Sequence, residues 1–218
     1  MINSHAFVVV VLAPLLLGSL ATIAVSFVAI AIGVLGGLNL GFALLSENLL
    51  VRRCCRAYVS IFRGTPLLVQ LLVCYYFLPA LLHVNLSPLV ASIAALALNT
   101  TAFQGEIYRG GLLSIPKGQI DAARMLGFSR FQARRTIVVP QLLKLVLPSL
   151  LNETISIVKN SSLISVVAVT ELLRVSEGIV AATFRPAEVY GTAACIYLTI
   201  NFSISLLGRA FHARLSRG

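Results

Sequence analysis

An apolar run at about residues 7–45 contains no charged side chain and is far longer than the apolar segments of a water-soluble domain. A helix needs about 20 mostly apolar residues to cross the hydrocarbon of a bilayer. The remaining segments share this character, because hydrophobic residues make up 58% of the whole chain and charged residues only 11%. The chain is therefore predicted to fold with the bilayer as its solvent, and water-soluble classes are excluded.

The apolar runs are sufficient for about five transmembrane helices, so we predict an all-α, polytopic membrane protein with a single domain over residues 1–218. The first run is predicted to form one long helix rather than two short helices joined at Gly36 and Gly37. Gly33, Gly37 and Gly41 recur at every fourth position, which places small residues on one helix face and lets another backbone approach closely.

Four further spans are predicted at about 58–82, at 86–107, from about 137 onwards and at 187–207. The segment 169–186 is too short and too polar to cross a bilayer. Its stretch from Glu171 to Arg174 predicts a short helix outside the membrane, in a position to form part of an outer gate or a platform for a binding protein.

Positive charge predicts the orientation of the spans, because lysine and arginine are enriched on the cytoplasmic side of membrane proteins. No lysine or arginine precedes Arg52, so the N-terminus is expected outside the cytoplasm and the C-terminus inside. The basic residues expected in the cytoplasm are Arg52, Arg53, Arg56, Arg63, Arg109, Lys117, Arg124, Arg130, Arg134, Arg135, Arg209, Arg214 and Arg217. Topology and attraction to anionic lipid then explain the net charge of +10, so nucleic-acid binding is not needed.

A basic segment at about 109–136 carries the signals of a cytoplasmic hairpin of two short helices. Ser114 and Pro116 are suited to a helix start, and Gly127 can adopt the left-handed conformation that ends a helix. Ser129 and Gln132 fit a capping box, in which each side chain accepts a hydrogen bond from a backbone N–H at the start of the next helix. This second helix is predicted to end at about residue 135, before the next proline marks the start of the fourth span.

The turn of this hairpin combines small and apolar side chains. Asp121, Ala122 and Ala123 are small enough to fit into a groove, while Leu126 and Phe128 could supply apolar contacts. Two interpretations follow: a helix pair that lies flat on anionic headgroups, or a shaped projection that inserts into a soluble partner. The residues alone favour neither.

Polar residues within the predicted spans mark a candidate translocation path, because they are costly in lipid unless they face a cavity or a neighbouring helix. The candidates are Gln70, Asn99, Thr100, Thr101, Gln104, Glu106, Asn152, Glu153, Lys159, Asn160, Ser161 and Ser162. The pair at 152–153 precedes the pair at 160–161 by about two helical turns, so the two pairs could share a face. Glu153 could attract a cationic group of a solute, and Lys159 a carboxylate.

The alternative for each of these residues is a structural role, in which the side chain hydrogen-bonds across helices or serves as a counter-ion. Glu106 is expected to act locally, since it has helical spacing for an ion pair with Arg109 near the cytoplasmic rim.

Several ordered motifs resemble those of a known family. The stretch Asp121-Ala-Ala-Arg-Met-Leu-Gly127, followed by Ile137-Val-Val-Pro-Gln141, resembles the EAA loop of bacterial ABC importer permeases. The polar amino acid uptake branch of that family has motifs similar to Arg63-Gly-Thr-Pro-Leu-Leu-Val-Gln70, Glu106-Ile-Tyr-Arg-Gly-Gly111, Ile115-Pro-Lys-Gly-Gln119 and Lys159-Asn-Ser-Ser-Leu163. The similarity extends from about Gly18 to the last span.

The resemblance implies a pore-forming permease subunit in a bacterial inner membrane that imports polar amino acids or related solutes. It also implies a cytoplasmic ABC ATPase dimer that binds ATP and Mg and drives transport, a second permease subunit that is identical or similar, and a periplasmic or lipid-anchored solute-binding protein. The ATPase-coupling residues that it implies here are Asp121, Ala122, Ala123, Leu126, Gly127 and Phe128.

Two positions depart from the family pattern. Asp121 stands where the loop usually has glutamate, which keeps the charge and shortens its reach by one methylene. Asn160 stands where an aspartate usually follows the lysine, which removes a carboxylate near the translocation path and leaves the type of solute open.

The chain lacks the G-x-x-x-x-G-K-[ST] phosphate-binding loop, so it is not expected to bind or hydrolyse ATP itself. Its four cysteines and three histidines are scattered without metal-ligand spacing, and no nucleophile–base arrangement stands out. No cofactor or metal is therefore expected in this chain, and a membrane-embedded enzyme is disfavoured. A stand-alone secondary transporter of small polar solutes, with its hairpin resting on lipid, remains the alternative function.

Overall fold

The structure is a computed structural model that describes residues 8–215. Its first helix, α1 (Val9–Leu44), is continuous, which confirms one long first span. The glycine pattern faces α4 (Pro88–Ser114), and the two helices pack along their length. A Cβ atom added to Gly37 would lie 2.7 Å from the Cβ of Gln104, and one added to Gly41 would lie 2.7 Å from the Cβ of Tyr108. The predicted packing role of these glycines is confirmed.

The predicted second span is wrong at its start. Residues 58–64 belong to a separate helix, α2 (Leu49–Gly64), which meets α3 (Leu67–Leu82) at a bend of 108°. Thr65 has extended backbone angles (φ −122°, ψ 149°) because the ring of Pro66 disfavours helical geometry in the residue before it. The Arg63-Gly-Thr-Pro66 stretch is therefore a helix break, and the second span begins at Leu67.

The third predicted span is present but extends beyond residue 107 to Ser114, so the first part of the segment 109–136 is transmembrane-helix sequence rather than hairpin. Ser114 is the last residue of α4, and its hydroxyl donates to the Gly110 carbonyl at 3.1 Å. It therefore ends one helix instead of starting the next, which corrects the role predicted for it. Pro116 does precede the hairpin helix, as predicted.

The second half of the chain contains α5 (Lys117–Met125), α6 (Phe131–Val167), α7 (Leu172–Thr183) and α8 (Pro186–Leu215). The predicted break between the second hairpin helix and the fourth span is wrong, because α6 runs through both without interruption. A π-helical turn at Arg134–Val138 ends two residues before Pro140. A widened turn lets a helix continue past a residue that lacks an amide N–H.

Length and apolarity alone identify α1, α6 and α8 as spans among the described residues, with the bent pair of α2 and α3 as a fourth. Helix α4 has the length of a span, but its middle carries the buried polar residues Asn99, Thr100 and Gln104. It is covered by other helices rather than by lipid, which explains its lower hydropathy. The all-α, polytopic architecture is confirmed, with three candidate spans by length and apolarity in the part of the chain that the structure describes, or four when the bent pair is counted.

The short helix predicted at Glu171 is also present and continues to Thr183 as α7. Glu171 is fully buried, and its carboxylate accepts hydrogen bonds from the Arg174 amide at 2.8 Å, the Tyr197 hydroxyl at 2.9 Å and the Thr22 hydroxyl at 3.2 Å. Because Thr22 lies on α1 and Tyr197 on α8, this one carboxylate fixes α7 between the first and last spans.

Candidate functional site

The first candidate site is the hairpin formed by α5 and the start of α6, whose turn is set by its backbone. Helix α5 ends at Met125, and the chain turns at Gly127, which has φ +80°. The Phe128 amide donates to the Ala123 carbonyl at 3.0 Å, and the Gly127 amide donates to the Arg124 carbonyl at 3.0 Å. This pair of bonds is the Schellman motif, which requires a left-handed residue after the helix. The helix end predicted at Gly127 is confirmed.

The start of the next helix is fixed by reciprocal side-chain bonds. The Ser129 amide donates to Oε1 of Gln132 at 2.9 Å, and the Gln132 amide donates to Oγ of Ser129 at 3.2 Å. These bonds confirm the predicted capping box. With the glycine turn directly before it, the capping box gives the tip of the hairpin a defined shape.

The tip presents large apolar side chains to its surroundings. Met125 is 89% exposed, Leu126 is 77% exposed and Phe131 is 72% exposed, while Phe128 is 37% exposed. Such a cluster costs free energy in water and is typical of a contact surface. Sequence reasoning missed Met125 and Phe131, although both flank the turn residues that it selected.

The small residues of the hairpin differ in what they face. Asp121 is exposed and forms a 3.5 Å ion pair with Arg124, and Ala122 is exposed as well. Ala123 is only 1% exposed and packs inside this chain. Ala123 therefore shapes the hairpin from within, whereas Asp121 and Ala122 are available to a partner.

The hairpin is joined to the membrane helices by buried contacts. Ile115, which precedes α5, packs with Tyr108 of α4 and with Val138 and Leu142 of α6. The Arg134 guanidinium lies 4.9 Å from the centroid of the Phe42 ring, at the end of α1. These contacts join the base of the hairpin to α1, α4 and α6.

The second candidate site is a polar cavity of about 310 Å³ between α3, α4 and α6. Glu153, Ser156 and Asn160 line it from α6, where spacings of three and four residues place side chains on one helix face. Asn99 and Phe103 line it from α4. The other lining residues are Thr65, Pro66, Leu67, Leu68 and Leu163.

Three of the predicted path residues therefore come together in this cavity: Asn99, Glu153 and Asn160. Phe103 and Ser156 were missed by sequence reasoning. Ser156 could have been found, because it lies three residues after Glu153 on the same face, whereas an aromatic residue in an apolar span gives no such signal.

Gln70 and Asn99 hold the break between α2 and α3 together. The Asn99 amide donates to Oε1 of Gln70 at 2.9 Å, and the Gln70 amide donates to the carbonyls of Phe62 at 2.8 Å and Thr65 at 3.0 Å. These bonds satisfy carbonyl groups that the end of α2 leaves without helical partners. Gln70 thus has the structural role that was the alternative for it.

The remaining candidates lie elsewhere. Gln104 is buried against α1 and donates to the Thr100 hydroxyl at 3.1 Å. Asn152 and Lys159 are exposed and do not line the cavity. The hydroxyls of Ser161 and Ser162 donate to backbone carbonyls of their own helix, those of Val158 and Lys159. The 152–153 and 160–161 pairs therefore share the cavity face only through Glu153 and Asn160.

Known proteins are similar to this chain in both sequence and fold. A family model described as "Binding-protein-dependent transport system inner membrane component" matches residues 29–217. The octopine transport system permease protein OccM of Rhizobium meliloti is 41% identical over 182 residues, which cover 80% of this chain and 74% of the relative. The putative glutamine transport system permease protein GlnP of Rickettsia typhi is 32% identical over 198 residues, which cover 91% of each chain.

Solved structures agree with these relatives. The chain matches a crystal structure of an amino acid ABC transporter with histidines at a TM-score of 0.83 and 35% identity, over 92% of this chain and 94% of the other. An inward-facing structure of the MetNI methionine ABC transporter matches at a TM-score of 0.79 and 23% identity, over 92% of this chain and 96% of the other, which shows a shared fold.

Proposed function

Because the chain belongs to the family of binding-protein-dependent transport system inner membrane components, we propose that it forms a translocation path driven by a partner ATPase. The membership confirms the resemblance found in the sequence. The chain is a permease component of an amino-acid ABC importer in the inner membrane, a transport subunit rather than a catalytic one. This function is supported over the alternative of a stand-alone secondary transporter.

The hairpin is the proposed docking element for a cytoplasmic ABC ATPase dimer. Its exposed tip of Met125, Leu126, Phe128 and Phe131 offers the apolar contact of a helix that fits into a groove. The partner binds ATP and Mg, and its closure moves the tip. The buried contacts of Ile115 transmit that movement to α4 and α6, which also line the polar cavity.

The polar cavity is the proposed solute site. Its volume of about 310 Å³ suits a small polar solute, and it combines a carboxylate with two amides and two hydroxyls. Glu153 binds a cationic group of the solute, while Asn99 and Asn160 bind its polar groups. The names of the relatives, which include octopine and glutamine transport permeases, support amino-acid-like solutes.

The rest of the machinery follows the family. A second permease subunit, identical or similar to this chain, completes the pathway, and a periplasmic or lipid-anchored binding protein delivers the solute. The basic residues support an N-terminus outside the cytoplasm and a cytoplasmic C-terminus, which places the hairpin on the side of the ATPase.

Uptake into reconstituted vesicles tests this function. The permease is incorporated alone or with its ATPase, and labelled amino acid is added outside together with the binding protein. We expect uptake only when the ATPase is present and ATP is inside. Uptake by this chain alone, driven by a proton or sodium gradient, would refute the proposal.

Replacing Glu153 by glutamine tests the solute site. The substitution keeps the shape and removes the charge, so we expect the KM for a cationic amino acid such as arginine to rise about tenfold or more, and that for glutamine to change little. Uptake kinetics at a fixed concentration of binding protein measure both values. Asn152→Ala is the matched control, because Asn152 is adjacent in sequence, is exposed and does not line the cavity. Equal KM values for arginine in the Glu153→Gln variant and the unmodified chain would exclude the carboxylate from solute binding.

A further inference from the structure

A basic cavity at the junction of α1, α2 and α4 has no role in the proposed transport cycle. It measures about 420 Å³ and is lined by Leu44, Leu45, Arg56, Val59, Ser60, Arg63, Glu106 and Arg109. Three guanidinium groups thus surround a single carboxylate. This arrangement leaves an excess of positive charge in a space large enough for a phosphate group and its substituents.

The single carboxylate is already neutralised within the cavity. Both oxygens of Glu106 accept from the Arg109 guanidinium at 2.8 to 3.1 Å, as the sequence predicted for this local pair, and Arg63 lies 3.8 Å away. Arg63 also lies over the ring of Phe103, with 5.2 Å between its guanidinium carbon and the ring centroid. Arg56 is exposed and forms no ion pair with the described residues. Its charge and part of that of Arg63 are available to an anion.

Helix α2, which carries Arg56 and Arg63, has the features of a membrane-interface helix. Leu50, Cys54, Ala57 and Ile61 recur at spacings of three and four residues and are all exposed, so α2 presents an apolar stripe beside its basic face. Leu50 is 71% exposed and Ile61 is 60% exposed. The 108° bend turns α2 across the direction of the spanning helix α3. An amphipathic helix in this position lies in the interface with its apolar side towards the acyl chains.

We propose that the cavity lined by Arg56, Arg63 and Arg109 binds the phosphate headgroup of an anionic phospholipid from the cytoplasmic leaflet. The charge of Arg56 and Arg63 matches the phosphate, and the Ser60 hydroxyl supplies a further donor. The adjacent apolar stripe of α2 provides the surface along which the acyl chains of that lipid pack. The apolar stripe favours a lipid over a soluble anion, because a free phosphate has no apolar part that could pack against it.

Lipid binding to the purified full chain in phosphatidylcholine nanodiscs tests this site. Phosphatidylglycerol is titrated in, and the lipid retained per chain is counted by native mass spectrometry. We expect saturable retention of phosphatidylglycerol by the unmodified chain, and at least roughly tenfold weaker retention by Arg56→Gln. Arg53→Gln is the matched control, because Arg53 is an exposed arginine of the same helix that does not line the cavity. Retention of phosphatidylglycerol by the Arg53→Gln variant is expected to change less than twofold.

Three results would overturn the proposal. If Arg53→Gln weakened retention as much as Arg56→Gln, the lipid would be attracted by diffuse surface charge rather than by the cavity. If inorganic phosphate at millimolar concentration displaced the lipid completely, the site would be one for soluble anions. If the ATPase subunit displaced it, the cavity would be a protein contact. Lipid retention is measured without transport, so its failure is distinguishable from failure of the proposed function.

Discussion

Replacing Gly127 by valine is expected to reduce ATP-driven uptake by more than tenfold without preventing membrane insertion. Gly127 has φ +80°, and the left-handed region costs an L-residue about 1–2 kcal/mol, with a larger cost for a β-branched side chain. Apart from Gly127 and its two neighbours in the chain, no atom lies within 4 Å of the position that a Cβ would occupy, so the effect comes from the backbone alone. The Schellman bonds at Ala123 and Arg124 would be lost, and the exposed tip would lose the shape proposed to fit the ATPase.

The measurement is uptake, together with co-purification of the ATPase, in reconstituted vesicles. Gly118→Val is the matched control, because Gly118 lies in the same hairpin, also has open space at its Cβ position, and has an ordinary helical backbone. Gly127→Asn is expected to retain most of the uptake, since asparagine tolerates the left-handed region. If Gly127→Val bound the ATPase and transported like Gly118→Val, the docking role of the turn would be excluded.

The features that the sequence predicted correctly depend on interactions between residues close together in the chain. The turn at Gly127 and the capping box of Ser129 and Gln132 involve residues at most five positions apart. Such bonds follow from residue type and spacing alone. The glycine stripe of α1 was predictable for a related reason, because a four-residue period fixes a helix face whichever helix packs against it.

The two prolines show which features could not be predicted from residues that are close together in the sequence. Pro66 breaks the chain into two helices, while Pro140 lies within one continuous helix. At Pro66 the broken end is compensated by Gln70 and by Asn99, which lies 29 residues further along on α4. At Pro140 a π-helical turn absorbs the missing amide. Which outcome occurs depends on partners that are distant in sequence, so inspection of the proline and its neighbours could not distinguish them.

The candidate path residues were selected one at a time for polarity, and the structure separates them by the face on which they lie. On α6 the spacing from Glu153 to Asn160 defined the cavity face correctly, whereas Lys159 and Ser161 are adjacent to Asn160 in sequence but do not line the cavity. On α3 and α4 the roles of Gln70 and Gln104 depend on which helix each side chain contacts. A polar residue in a span shows that a partner is needed, and it does not show whether that partner is a solute or another helix.

Replacing Gly37 by valine is expected to destabilise the membrane bundle by about 3 kcal/mol, the upper end of the usual cost of overpacking. Its Cβ would lie 2.7 Å from the Cβ of Gln104 and 3.1 Å from the backbone nitrogen of Gly105. Neither of these atoms is the end of a flexible side chain, so α1 and α4 would have to move apart. The two helices form the centre of the fold, and α4 also carries Asn99 of the polar cavity and leads into the hairpin.

Thermal unfolding in detergent measures this effect, and Gly110→Val on α4 is the matched control because nothing lies within 4 Å of its Cβ position. We expect Gly37→Val to lower the Tm by several degrees or more and Gly110→Val to change it little. Equal unfolding temperatures would mean that α1 and α4 are not in close contact in the membrane. In that case α1 would not support α4, and the proposed transmission of movement from the hairpin through α4 to the polar cavity would be excluded.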